Sequence, residues 1–80
     1  NYPNPFNSSS NVKFQIINYG IVSLKVYDIL GKEVRTLVNE NLQPGTYQTR
    51  FDATGLSSGV YFYRIQAGDF SETRKMVLVR

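Results

Sequence analysis

Eighty residues allow one small domain, and nine Lys/Arg against six Asp/Glu give it a net charge of +3 with no cysteine and no histidine. That composition excludes a disulfide scaffold, a zinc or iron centre built on Cys or His, and a nucleophilic triad with a histidine base. A chain this short buries only ~60% of its unfolded surface, so its stability rests on apolar burial; six Tyr and five Phe, each burying ~150–250 Å², make that sufficient for a folded domain.

The opening Asn1-Tyr2-Pro3-Asn4-Pro5-Phe6 contains two prolines that cannot donate to a ladder, which predicts an extended segment along an edge. Period-two alternation then dominates. Val12, Phe14 and Ile16 alternate with Lys13 and Gln15, and after the break at Asn18-Tyr19-Gly20, Val22, Leu24 and Val26 alternate with Ser23, Lys25 and Tyr27. Asp28 to Lys32 reads as a link in which Gly31 takes positive φ. Glu33 to Glu40 is ambiguous, because Val34, Leu37 and Val38 also fit a helical turn; its β-branched content and short length favour a strand. Pro44-Gly45 suits a type II turn with Gly45 at the left-handed corner. Tyr47, Thr49 and Phe51 alternate in the next strand, and Ala53 to Gly59 is long enough to cross between sheets.

Val60-Tyr61-Phe62-Tyr63-Arg64-Ile65 reads as a central strand, Ala67-Gly68-Asp69 as a tight hairpin, and Phe70 to Val79 as the last strand. Turn signals every 8–14 residues predict a single all-β domain, a sandwich or barrel. The preferred architecture is an immunoglobulin-like antiparallel β-sandwich of about seven short strands. One pattern recurs: Gly45-Thr46-Tyr47 and Gly59-Val60-Tyr61 each open a strand with a glycine and place Tyr two residues on. At an immunoglobulin-like corner such a tyrosine bonds nearby backbone through its hydroxyl, a structural role for Tyr61 rather than a ligand-binding one.

Nothing along the chain assembles a catalytic or cofactor site. Gly55-Leu56-Ser57-Ser58-Gly59 does not have the order of a nucleophile elbow, and Asp28, Asp52 and Asp69 stand singly rather than in a calcium loop. No glycine-rich phosphate loop occurs, and six scattered acids are a poor basis for paired-carboxylate chemistry. The chain reads as a non-enzyme without cofactor or metal. Its dispersed basic residues lack the dense stripe of a nucleic-acid binder. Met76-Val77-Leu78-Val79 is its longest aliphatic-plus-Met run, far short of a membrane helix. Beginning at Asn1 without a charged-then-apolar leader, it reads as a piece of a longer protein whose own N-terminus carries any export signal. Sugar binding would need an exposed aromatic platform, for which Tyr61/Tyr63 or Tyr19/Tyr27 are the candidate pairs.

The two ends carry the most distinctive residues. Asn1-Tyr2-Pro3-Asn4-Pro5-Phe6-Asn7, Val22 to Asp28 with Gly31-Lys32-Glu33-Val34, Pro44-Gly45-Thr46-Tyr47, Leu56 to Tyr63, and Lys75-Met76-Val77-Leu78-Val79-Arg80 follow one another in this order. Together they make the chain resemble the type A C-terminal sorting domain of the type IX secretion system of Gram-negative bacteria. The resemblance spans nearly the whole chain, with Arg80 where the family usually ends on lysine. It implies an immunoglobulin-like sandwich, residues 1–80, at the C-terminus of a larger secreted protein. It further implies recognition by the outer-membrane machinery after passage through the periplasm, and removal by a surface peptidase upstream of Asn1. The passenger would then be released or held at the cell surface.

By the same resemblance, recognition is expected at Gly59, Tyr61, Lys75, Met76, Val77, Leu78, Val79 and Arg80. A receptor that pairs with the backbone of an exposed final strand, with Lys75 and Arg80 supplying charge and register, is one physical form of it. An ordinary solvated strand end explains the same two residues. A structural spacer or accessory module of a multidomain secreted protein is the alternative function, and an open strand edge would also permit weak self-association.

Overall fold

The computed structural model describes residues 9–79, which form six strands and no helix: β1 (Ser9–Ile16), β2 (Gly20–Asp28), β3 (Glu33–Leu42), β4 (Gly45–Asp52), β5 (Gly59–Ala67) and β6 (Phe70–Leu78). All pairings are antiparallel, in one two-stranded sheet, β1-β4, and one four-stranded sheet, β3-β2-β5-β6. This is an immunoglobulin-like arrangement, with β1 and β4 in the places of strands B and E and the larger sheet in the order C′CFG. Turn spacing predicts about seven strands, whereas the described residues hold six. Each runs 8–10 residues and uses more chain than short strands would. The edge position expected for Asn1 to Phe6 falls outside the described residues.

Alternation decides which side of each strand is buried. Val22, Leu24 and Val26 of β2 are fully buried, and the inward residues of the neighbouring strands, Tyr61, Tyr63 and Ile65 on β5 and Met76 and Leu78 on β6, join them. The smaller sheet contributes Val12, Ile16 and Phe51 to the same core, with Phe14 stacked on its cross-strand partner Tyr47 at 5.6 Å between centroids.

The Glu33 to Glu40 segment is a strand, and its helix-like spacing has a cause. Against β2 the register slips twice, passing from Leu24↔Val38 to Lys25↔Thr36 and from Val26↔Arg35 to Tyr27↔Glu33. Leu37 and Val34 are the extra residues of these two bulges, and each bulge resets which side chains face inward. Both residues therefore pack against the core beside Val38, giving apolar positions three and four apart within a β-strand.

The links follow the expected chemistry with one exception. Asp28 closes the β2–β3 turn by accepting the N–H groups of Leu30 and Lys32 on its carboxylate, both at 2.9 Å, while Gly31 sits at φ 85°. Gly68 at φ 60° supplies the positive corner of the two-residue β5–β6 hairpin. Pro44-Gly45 does not form the type II turn. Gly45 has φ 153°, far from the left-handed corner near +80°, and already pairs with Ile16 as the first residue of β4.

Candidate functional site

The two Gly-x-Tyr segments form the same clasp at opposite ends of the sandwich. Gly45 and Gly59 have nearly identical φ, 153° and 154°, in a region that L side chains avoid. Two residues on, Tyr47 donates its hydroxyl to the Gln43 carbonyl at 2.6 Å and Tyr61 donates to the Ser57 carbonyl at 2.7 Å. Each bond spans four residues and fastens a crossing between the sheets, β3 to β4 in the first case and β4 to β5 in the second. Beside the second crossing, Arg35 donates to the carbonyls of Asp52 and Thr54 at 3.2 and 2.6 Å, tying β3 to the exit of β4.

Held by that second clasp, β5 positions β6. The register sets Gly59 opposite Leu78, Val60 opposite Val77, Tyr61 opposite Met76 and Phe62 opposite Lys75. Residues that the sequence separates, Gly59 and Tyr61 on one side and Lys75 to Leu78 on the other, are thus one contiguous patch. Their side chains divide by face: Tyr61, Met76 and Leu78 lie in the core, whereas Lys75, Val77 and Val79 are exposed. Arg80 lies outside the described residues.

Among the described residues β6 pairs with β5 alone, and no strand lies along its other edge. The two-residue hairpin fixes which backbone groups that edge presents. Ala67 and Phe70 flank the turn and exchange both hydrogen bonds, after which hydrogen-bonded and non-hydrogen-bonded pairs alternate. Glu72, Arg74, Met76 and Leu78 therefore turn their N–H and C=O groups toward β5. Ser71, Thr73, Lys75 and Val77 turn theirs outward. The residues whose backbone groups point away from β5 are thus the ones whose side chains lie on the outer face of the sheet. On the inward side Glu72 and Arg74 form an ion pair at 2.7 Å, and the Glu72 carboxylate raises the guanidinium pKa further.

An aromatic platform for sugar is not present at either expected pair. Tyr61 and Tyr63 are buried in the core, and Tyr19 lies just before β2 while Tyr27 is near its far end, with the Arg64 guanidinium over its ring.

The family model described as the secretion system C-terminal sorting domain matches residues 1–79. The chain belongs to that family. No curated protein and no solved structure matches it significantly. As a sorting domain of type IX secretion, it is a signal rather than a catalyst in its family's general role. Such a domain is attached to a passenger in the same chain and acts with the type IX machinery, which places the protein outside the cell or on the surface of a Gram-negative bacterium. Arg35 and the Ser57 carbonyl also hold this region together. Only the tyrosine half of the clasp has a local sequence signal, because Arg35 reaches partners 17 and 19 residues away.

Proposed function

We propose that residues 1–80 form a single C-terminal sorting domain of a larger secreted protein, which directs its passenger from the periplasm across the outer membrane through the type IX machinery. The match of the sorting-domain family over residues 1–79 carries this reading. Recognition uses the patch where Gly59, Tyr61 and Lys75 to Val79 come together, with Arg80 beyond it. Gly59, Tyr61, Met76 and Leu78 act by holding β6 in place. Lys75, Val77 and Val79 meet the receptor, which adds a strand to the other edge of β6 and bonds the outward backbone groups of Thr73, Lys75 and Val77. A surface peptidase then separates passenger from domain.

The test is export of a fluorescent reporter fused ahead of this domain in a host with type IX machinery, beside the same fusion lacking Ser71 to Arg80. Surface or medium fluorescence is expected from the full fusion alone, the comparison counting only where the shortened protein is found intact in the periplasm. Because loss of β6 uncovers the core side of β5, Lys75→Glu with Val77→Glu, both exposed, provides a folded counterpart. Retention of the full, folded fusion in the periplasm would refute the reading.

A further inference from the structure

The outer side of the four-stranded sheet carries charge that the fold does not use. Lys25 and Tyr27 of β2, Phe62 and Arg64 of β5, and Thr73, Lys75 and Val77 of β6 occupy that side, because their neighbours Val26, Tyr63 and Met76 are buried. The registers set them in two rows, Tyr27–Phe62–Lys75 and Lys25–Arg64–Thr73. Lys25 and Arg64 are thus directly opposite, which is unfavourable for like charges. Glu33 offsets Lys25 at 3.4 Å. Arg64 has no carboxylate partner among the described residues; it lies 5.7 Å from the centre of the Tyr27 ring and reaches only the Thr73 hydroxyl, at 3.4 Å. Lys75, diagonal to Arg64 across β5 and β6 at roughly 7–8 Å, forms no ion pair among the described residues.

The acids that would neutralise this pair are committed elsewhere. Glu72 is on the inward side with Arg74, the Asp28 carboxylate accepts the turn N–H groups, and Asp52 bonds Thr54 on the other sheet. Phe62 and Tyr27 are only half-buried. They help line a shallow hollow of about 410 Å³, with Asp28, Ile29, Gly31, Arg64 and Thr73 around it, the Asp28 carboxylate being held by the turn N–H groups.

We propose that this face is a docking surface for an acidic segment of a partner protein, with Arg64 and Lys75 each receiving a carboxylate and the Phe62–Tyr27 hollow taking an apolar side chain between them. The proposal rests on the sorting function and adds to it Arg64, Phe62 and Tyr27, so that the recognised surface spreads from the edge of β6 onto β5 and β2. Charge complementarity selects this occupant. Anionic membrane surfaces are held by clusters of ~4–8 Lys/Arg, whereas two unpaired cations beside an apolar floor match one short protein segment bearing two acids. Geometry agrees, because a strand added to β6 sets every second side chain on the outer face and brings one of them opposite Lys75.

The experiment compares export of full-length reporter fusions in a type IX host. Arg64→Gln with Lys75→Gln removes both cations, while Lys13→Gln with Arg50→Gln removes the same charge from the exposed side of the smaller sheet. Each purified fusion is first shown to melt as the unaltered one does, and Lys75→Gln alone, at an exposed position without a bonded partner, guards against a folding defect. Export is expected to fall about tenfold for the Arg64/Lys75 pair and a few-fold for Lys75→Gln, in line with loss of charge-assisted bonds. Arg64→Lys should export nearly normally and the Lys13/Arg50 pair fully.

Equal export from the folded Arg64/Lys75 variant overturns the docking surface together with the Lys75 contact proposed above, an equal fall in the Lys13/Arg50 variant overturns the docking surface, and either leaves the sorting function intact. Sedimentation of the domain with phosphatidylglycerol vesicles that is abolished by Arg64→Gln with Lys75→Gln would assign the face to lipid and overturn it as well. No export of the unaltered fusion would sink the sorting function and this proposal with it.

Discussion

Replacing Tyr61 by Phe deletes one hydroxyl and leaves the ring in place, which isolates the clasp at the β4–β5 crossing. The Tyr61 side chain is 6% exposed and its bond to the Ser57 carbonyl is partly buried. Removing it forfeits a hydrogen bond worth about 1 kcal/mol and leaves a carbonyl that water reaches only in part, for a total loss of about 1–1.5 kcal/mol. At about 4–8 °C per kcal/mol for a domain of this size, Tm falls by roughly 5–10 °C. Tyr47→Phe is the internal control. It breaks the same bond with the same span, but to the exposed carbonyl of Gln43, where water takes over, and about 0.5 kcal/mol is expected. Urea unfolding followed by far-ultraviolet circular dichroism gives both values on one scale. Equal losses for the two variants, or none for Tyr61→Phe, would refute the assignment of burial as the difference between the clasps.

Leu78→Ala should cost about 2–4 kcal/mol, because Leu78 is 1% exposed and lies against β5 and the core, whereas Val77→Thr on the outer face should stay within about 0.5 kcal/mol; the same unfolding assay separates them. Gly59→Ala forces a Cβ onto φ 154° and should destabilise by more than about 1 kcal/mol although space around it is open. Hydrogen bonds from Thr54 hold the Asp52 carboxyl below its usual pKa, with Arg50 and Arg35 adding, and Thr36 does the same for Glu33, with Lys25 adding. Folded-state pKa values lower than those of the unfolded chain contribute stability that is present above the ordinary carboxylate range and lost as pH falls through the lowered values. Melting temperatures measured from pH 6 to pH 2 should therefore decline toward acid, and less steeply in Asp52→Asn.

The parts of this fold legible in the sequence are those whose signals are local. Val22, Leu24 and Val26 alternate without interruption and are buried as the pattern requires. The repeated Gly-x-Tyr announces both clasps, because donor, glycine and acceptor lie within five residues. The β3 segment is ambiguous in sequence for a physical reason: two bulges imitate a helical period, and a bulge is fixed by the partner strand rather than by its own residues. Pro44-Gly45 misleads in the same way, since the pull of β4 pairing overrides the preferred turn of the dipeptide. In the candidate site, Lys75 to Val79 stand out because they are consecutive. Arg64 does not, because the neighbours that leave it without a carboxylate come from β2 and β6, dozens of residues away in one direction and nine in the other.

Among the described residues β6 pairs with β5 alone, so the core on that flank closes only when β6 is in place. Every other described strand is already present in a chain that stops at Ala67, but the inward rings of Tyr61 and Tyr63 then border an empty edge and neither Met76 nor Leu78 covers them. Such a chain offers a sticky, unfinished flank instead of a charged one. The sheet is completed only by residues 70–78, which bring Met76 and Leu78 over those rings and set Lys75 and Val77 on the outer face. On the function proposed above, the same hairpin that closes the core also builds the surface to be recognised, so only a folded domain presents it.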